Sequence, residues 1–154
     1  MTDIKSMNME ELKELMTQIG EKPFRAKQIY GWLHEHLVTS YDEMANIPKS
    51  LKEKLKDYPI TALEELDVQT SKVDGTRKYL FRLSDGNMIE SVLMRYKYGN
   101  SVCISTQVGC RMGCRFCAST LDGLVRSLRP SEMLEQIYRI QKDIGERISN
   151  VVLM

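Results

Sequence analysis

The chain has 154 residues, of which 42% are hydrophobic and 28% charged, with 22 Lys+Arg against 21 Asp+Glu and a formal net charge of +1. That balance excludes a disordered chain and a bulk polycation, and no apolar run approaches the ~18 residues that cross a bilayer. A compact chain of this length buries about 70% of its unfolded surface, enough for a true core.

The first sixty residues read as helical. Met9, Leu12, Leu15, Met16 and Ile19 form one apolar stripe at helical spacing, with Asn8 as N-cap and Glu10, Glu11 and Glu14 in the first turns. Gly20 closes this helix and Pro23 opens the next. Phe24, Ile29, Trp32, Leu33 and Leu37 predict a second helix ending near Val38, and Ser50 to Tyr58 a third, short one. The period changes after Pro59. Leu66–Val68, Lys78–Leu83 and Met88–Met94 are strand-like, and Asp74-Gly75 and Asp85-Gly86 are hairpin-turn dipeptides between them. A β-meander is expected over 62–98, with a turn at Gly99-Asn100 and a further strand from Ser101 to Gln107.

Residues 108–128 predict a loop too long to be a mere connection. Pro130 then opens a helix carried by Met133, Leu134, Ile137, Ile140 and Ile144 to about Gly145, and Asn150–Met154 has a buried-strand pattern. Strand, loop, helix, strand is one βαβ unit of a parallel sheet. A lone unit of that kind leaves its last strand edge unsatisfied, which predicts that the chain is the front part of a longer protein. The divisions expected are a helical module at 1–60, a meander at 61–98 and a βαβ segment at 99–154, an α+β to α/β architecture. The N-terminus has no basic stretch leading into an apolar one, so no signal peptide is read and the cytoplasm is the expected compartment.

All four cysteines lie between residues 103 and 117. Disulfide frameworks spread their cysteines to staple distant segments, so this crowding points to metal or cluster chemistry. Cys110, Cys114 and Cys117 have C-x3-C-x2-C spacing, with Phe116 before the last. Three thiolates from one loop suit a 4Fe-4S cluster and leave one iron open to a small molecule. A structural zinc site using Cys103, Cys110, Cys114 and Cys117 is the alternative. Arg111, Arg115, Arg126 and Arg129 face the single acid Asp122 in this stretch; they are either a solvated rim or a phosphate-holding surface. Cys103 alone reads as a small buried hydrophobe, and Glu90 as the solvent-facing member of an alternating strand.

The C-x3-C-x-aromatic-C motif after a strand resembles the radical S-adenosylmethionine (SAM) superfamily. Residues Gln107 to Thr120, with Ser149–Met154 downstream and Lys22-Pro23-Phe24-Arg25-Ala26-Lys27-Gln28 in the helical front, resemble more narrowly the RlmN RNA adenine methyltransferases, relatives of the Cfr resistance enzymes. The resemblance implies the start of a partial (βα)6 barrel behind an RNA-contacting helical accessory domain. It implies a 4Fe-4S cluster on Cys110, Cys114 and Cys117, with SAM as cosubstrate and reductive cleavage of SAM to a 5′-deoxyadenosyl radical. A methyl group placed on a distant cysteine is then delivered through a radical to carbon 2 of an adenine in 23S ribosomal RNA or tRNA. An aromatic carbon is too poor a nucleophile for direct displacement on SAM, which is why a radical route is needed. Under the same resemblance Glu90 is the proton acceptor and Cys103 resolves the RNA–protein crosslink. It further implies an electron donor such as flavodoxin or ferredoxin, no membrane partner, and a monomer in the full-length form. The Gly-Glu-Pro segment that touches SAM is expected just after Met154 and the methylated cysteine beyond it. This chain therefore reads as a truncated, inactive portion; the non-enzymatic alternative is an RNA-binding piece.

Overall fold

A computed structural model describes residues 2–154, which fall into two compact units, the first ending at Thr61 and the second beginning at Ala62. In the first, α1 (Met9–Gln18) starts on a reciprocal cap: Glu11 N–H donates to Asn8 Oδ1 at 3.0 Å, and Asn8 N–H donates to Glu11 Oε2 at 2.7 Å. Helix α2 (Phe24–His34) stops before Val38, because Leu37 takes a left-handed φ of 54° to bring its own side chain and Val38 into the core. Helix α3 (Lys49–Lys54) runs only to Lys54 and tightens into a 3-10 turn over Leu55–Asp57. Leu12, Met16, Ile29, Leu33, Met44 and Leu51 are fully buried and form this unit's core. The Ile4 amide donates to the Pro59 carbonyl, closing the unit's two ends on each other.

The second unit is built on a five-stranded sheet in the order β1 (Glu64–Thr70), β2 (Arg77–Arg82), β3 (Met88–Tyr96), β4 (Gly99–Ile104) and β7 (Ile148–Leu153), with a separate two-stranded ribbon of β5 (Gln107–Gly109) and β6 (Leu124–Ser127). Its first four strands pair antiparallel as the meander expected from the alternation, and β7 adds parallel to β4. Strand β4 is a direct neighbour of β3, so the meander and the βαβ segment share one sheet. The β3–β4 turn falls at Lys97-Tyr98 rather than Gly99-Asn100, since Asn100 Nδ2 is held by Glu146 Oε2 and the Arg147 carbonyl and belongs to the strand.

Helix α4 (Pro130–Ile144) crosses one face of the sheet and ends at Gly145. Tyr79, Phe81, Ile89, Leu93, Val102 and Ile140 are buried there. Strand β7 departs from its buried pattern: Val151, Val152 and Leu153 are 40%, 45% and 67% exposed on this edge strand. Among the described residues, no helix is long and apolar enough to cross a membrane.

Candidate cluster loop and the sheet face beside it

Strand β4 ends at Ile104, short of the Gln107 expected from the sequence. After a break at Ser105-Thr106 the chain re-enters a two-stranded ribbon, β5 (Gln107–Gly109) antiparallel to β6 (Leu124–Ser127). The cysteine segment is thus the tip of a hairpin, closed at its neck by the Cys110 amide donating to the Gly123 carbonyl at 3.0 Å. Gly109 sits at φ 72°, and a Cβ there would lie 1.9 Å from the Gly123 oxygen. Only glycine permits both that backbone and that approach.

Within the loop Cys117 N–H donates to the Cys114 carbonyl, and Thr120 Oγ1 donates to the carbonyls of Cys114 and Cys117. The Met112 amide lies 3.5 Å from Cys110 Sγ as a donor. All four cysteines are free thiols and half-buried. Three unpaired thiols on one pinched loop, one already accepting a backbone N–H, fit the donor set of an iron–sulfur cluster. Among the described residues, however, no three His, Cys, Asp or Glu side chains are gathered into a metal cage. The loop carries the three candidate thiols on one hairpin tip without gathering them, an arrangement compatible with a site that closes only when a metal binds.

The root of this loop is held by a residue that the sequence reading passed over. Gln136 of α4 is fully buried. Its Oε1 accepts from the Ser105 amide at 2.8 Å and from Ser91 Oγ at 2.7 Å, and its Nε2 donates to the Ser105 carbonyl at 2.9 Å. One side-chain amide therefore replaces the ladder partners that Ser105 loses at the strand break. A glutamine on the apolar side of an amphipathic helix was the available signal. Ser105 Oγ in turn donates to the Glu90 carbonyl at 2.6 Å.

Cys103 and Glu90 lie on the face of the sheet opposite α4. Val92 is directly across from Cys103, and Glu90 is two residues further along β3, so the two candidates are diagonal neighbours on one face. Burial pushes the Cys103 thiol above its ordinary value, so it stays protonated near neutrality. Glu90 is exposed and pairs with Lys78 Nζ at 3.4 Å. This face lies apart in sequence from the loop cysteines, but β4 runs directly from Cys103 into the loop root.

The arginines divide. Arg111 and Arg115 are exposed on the loop. Arg126 is not a free cation: its guanidinium holds Asp85 at 2.7 Å and both oxygens of Glu132 at 2.8 Å.

Comparisons with known proteins agree with this layout. The family model for the ribosomal RNA large subunit methyltransferase N-terminal domain matches residues 2–60. A probable dual-specificity RNA methyltransferase RlmN from Lachnospira eligens is 66% identical over 155 residues, covering 100% of this chain and 44% of that protein. Its counterpart from Lachnoclostridium phytofermentans is 60% identical and covers 99% of this chain and 43% of its own length. A solved radical SAM methyltransferase from Sphaerobacter thermophilus superposes with TM-score 0.88 at 36% identity, over 98% of this chain and 46% of that one. The chain is a homologue of the RlmN dual-specificity RNA methyltransferases. It spans less than half the length of each of these relatives. The helical front, the antiparallel meander and the following helix and parallel strand are therefore shared with a solved radical SAM methyltransferase at 36% identity.

Proposed function

We propose that this chain is the cluster-bearing front portion of an RlmN-type radical SAM enzyme that methylates carbon 2 of adenine in 23S ribosomal RNA and tRNA. The observation that carries this reading is the pinched hairpin loop, which presents Cys110, Cys114 and Cys117 as three free thiols within eight residues. Those three residues would hold a 4Fe-4S cluster. When bound, such a cluster supplies the electron and the open iron site for cleaving SAM.

The chain's own groups have separable tasks. The Gly109–Gly123 neck closes the loop, and the Met112 amide donates toward Cys110 Sγ, which steadies a thiolate ligand. Gln136 fixes the peptide from which the loop departs. On the adjoining sheet face Cys103 is kept as a thiol by burial, the form from which it would help resolve the crosslink to RNA. Glu90 is the carboxylate two positions away that can take up a proton at its Oε atoms, where Lys78 now neighbours it. Domain roles follow: residues 1–60 as the RNA-contacting accessory module, 61–98 as the linking meander, 99–154 as the start of the barrel. An electron carrier such as flavodoxin or ferredoxin would serve the cluster, in the cytoplasm, with the full-length enzyme a monomer.

The test is anaerobic reconstitution of the 154-residue chain with iron and sulfide, followed by metal analysis and visible absorption. Four irons and four sulfides per chain are expected in the parent and in Cys103→Ala, and loss of the cluster in each of Cys110→Ala, Cys114→Ala and Cys117→Ala. Full cluster content in Cys114→Ala, or tight zinc in place of iron with all four cysteines engaged, would overturn the assignment.

A further inference from the structure

The helical unit carries a cavity of about 390 Å³ that the cluster chemistry leaves unused. It lies along α2, lined by Phe24, Lys27, Gln28, Trp32, His36 and Asn46, with Gly31 as its floor. Its size falls in the range of small-ligand sites. The walls are aromatic. Phe24 is 54% exposed, with the Arg25 guanidinium 4.8 Å from its ring centre, and the Trp32 indole lies 4.6 Å from the His36 imidazole. Trp32 Nε1 donates to Asn46 Oδ1 at 2.5 Å, which fixes the indole plane.

Apart from the exposed Glu35 carboxylate beside Gly31, the polar rim offers donors. Asn46 Oδ1 is taken by Trp32 and Gln28 Oε1 by Arg25, so each amide is left with its NH2 group to offer. Lys27 is exposed, and among the described residues no ion pair engages it. Gly31 is the further oddity. A glycine inside a helix costs about 1 kcal/mol relative to alanine. A Cβ at Gly31 would meet only Glu35 Oε2, at 3.9 Å, so packing does not require glycine there. What its missing side chain does provide is an open cavity floor.

Aromatic walls, a rim of N–H donors and an unpaired cation describe a site for a flat, acceptor-rich ring attached to an anion. We infer that the Phe24–Trp32 cavity binds one unstacked nucleotide of single-stranded RNA, its base against the aromatic walls and its phosphate toward Lys27. An acidic peptide would satisfy Lys27 but leave the aromatic walls without a partner. The inference rests on the RNA partner proposed above only for its choice of polymer. It needs no cluster, so the metal-free protein tests it separately from the cysteine assignment.

Trp32 is the chain's single tryptophan, so its fluorescence reports this cavity alone. The full metal-free chain is titrated with an eight-nucleotide single-stranded RNA and with an abasic oligonucleotide of the same length and charge. Saturable quenching is expected with the RNA and little with the abasic strand. Phe24→Ala is expected to weaken binding roughly five-fold or more, the lower end of one lost stacking contact. Gly31→Leu, which fills the floor and favours the helix, should abolish quenching with α-helical circular dichroism intact, while Val73→Ser, at a 96% exposed position of the β1–β2 turn, should leave it unchanged. Equal quenching by the abasic strand, no quenching at low salt, or full binding by Gly31→Leu would each overturn the inference. So would selective quenching by an acidic peptide instead.

Discussion

Of the four arginines in and after the cysteine loop, Arg126 has the least freedom to meet a phosphate. Glu132, its partner, has a side chain only 3% exposed, while Asp85, the other, is 39% exposed. Arg126 pulls Asp85 down to about 2, with burial opposing it and the Asn87 amide helping. For Glu132 burial is the largest influence and acts upward, yet the Arg126 hydrogen bonds and the Arg129 amide overcome it and leave the carboxyl below its ordinary value. Both acids are therefore stronger in the folded protein than in the unfolded chain. Their contribution to stability is fully present above the ordinary carboxylate range near 4 and is lost as pH falls toward the folded values. Solvent screens the Asp85 share, so Glu132 carries most of it. Replacing Arg126 by Met should destabilise the sheet unit by about 3 kcal/mol at pH 7, because a buried carboxylate loses its counter-charge. That difference should shrink as pH falls from 5 toward 2. Amide exchange along α4 in the two proteins measures it, and equal protection at pH 7 would contradict the argument. Sequence showed an arginine excess here; it could not show that the turn at Asp85, 41 residues away, and the buried first turn of α4 had already claimed one of the four.

At the scale of elements, periodicity carried the reading where each element's environment is uniform along its length. Strands β2 and β3 alternate against one buried face, and α4 keeps one apolar stripe, so their ranges emerged within a residue or two. The break between β4 and β5 was invisible because Ser101 to Gln107 contains no Gly, Pro, Asn or Asp to mark an interruption. What interrupts it is Gln136, 31 residues on, which takes both hydrogen-bonding groups of Ser105 out of the ladder. The hairpin β5–β6 was likewise hidden by its shortness, although Gly109 and Gly123 marked its neck. Those glycines give a discriminating prediction. In Gly109→Ala the new methyl would overlap the Gly123 carbonyl, a backbone atom that cannot swing aside, so the neck must open. In Gly113→Ala nothing lies within 4 Å, and only the positive φ of 69° is penalised, by about 1 kcal/mol. The Cys110 amide should lose its exchange protection in Gly109→Ala and keep it in Gly113→Ala. Cluster loading should follow the same order. Matching behaviour of the two variants would mean that the neck does not organise the loop.

For the whole molecule, the cysteine spacing was legible because C-x3-C-x2-C is a local pattern on a single loop, whereas the Glu90–Cys103 relation needed the strand register. Alternation alone put Glu90 toward solvent, which is where it lies; only the pairing of Val92 with Cys103 shows that the two candidates share a face. That face also decides what the 154-residue chain can do unaided. On the proposed function three of its four cysteines go to the cluster and Cys103 serves the sheet face, so no thiol is left to carry a methyl group. The face holding Glu90 and Cys103 is bordered by β7, whose Val152 and Leu153 are 45% and 67% exposed, so water reaches its edge. Reactive intermediates are productive only where water and competing donors are kept out. We therefore expect this chain by itself, reconstituted and supplied with reductant, SAM and ribosomal RNA, to give no catalytic 2-methyladenosine. A longer RlmN relative run in parallel should give it. The same apolar edge should make the isolated chain self-associate with rising concentration, and Val152→Lys should suppress that without disturbing the sheet. Nucleoside mass spectrometry after digestion reads the first result, and size-exclusion chromatography across a concentration series reads the second. Multiple-turnover product from the 154-residue chain would show that methyl transfer can proceed with Cys103 or a cluster cysteine as carrier, and would overturn the division of the four thiols on which the proposed function depends.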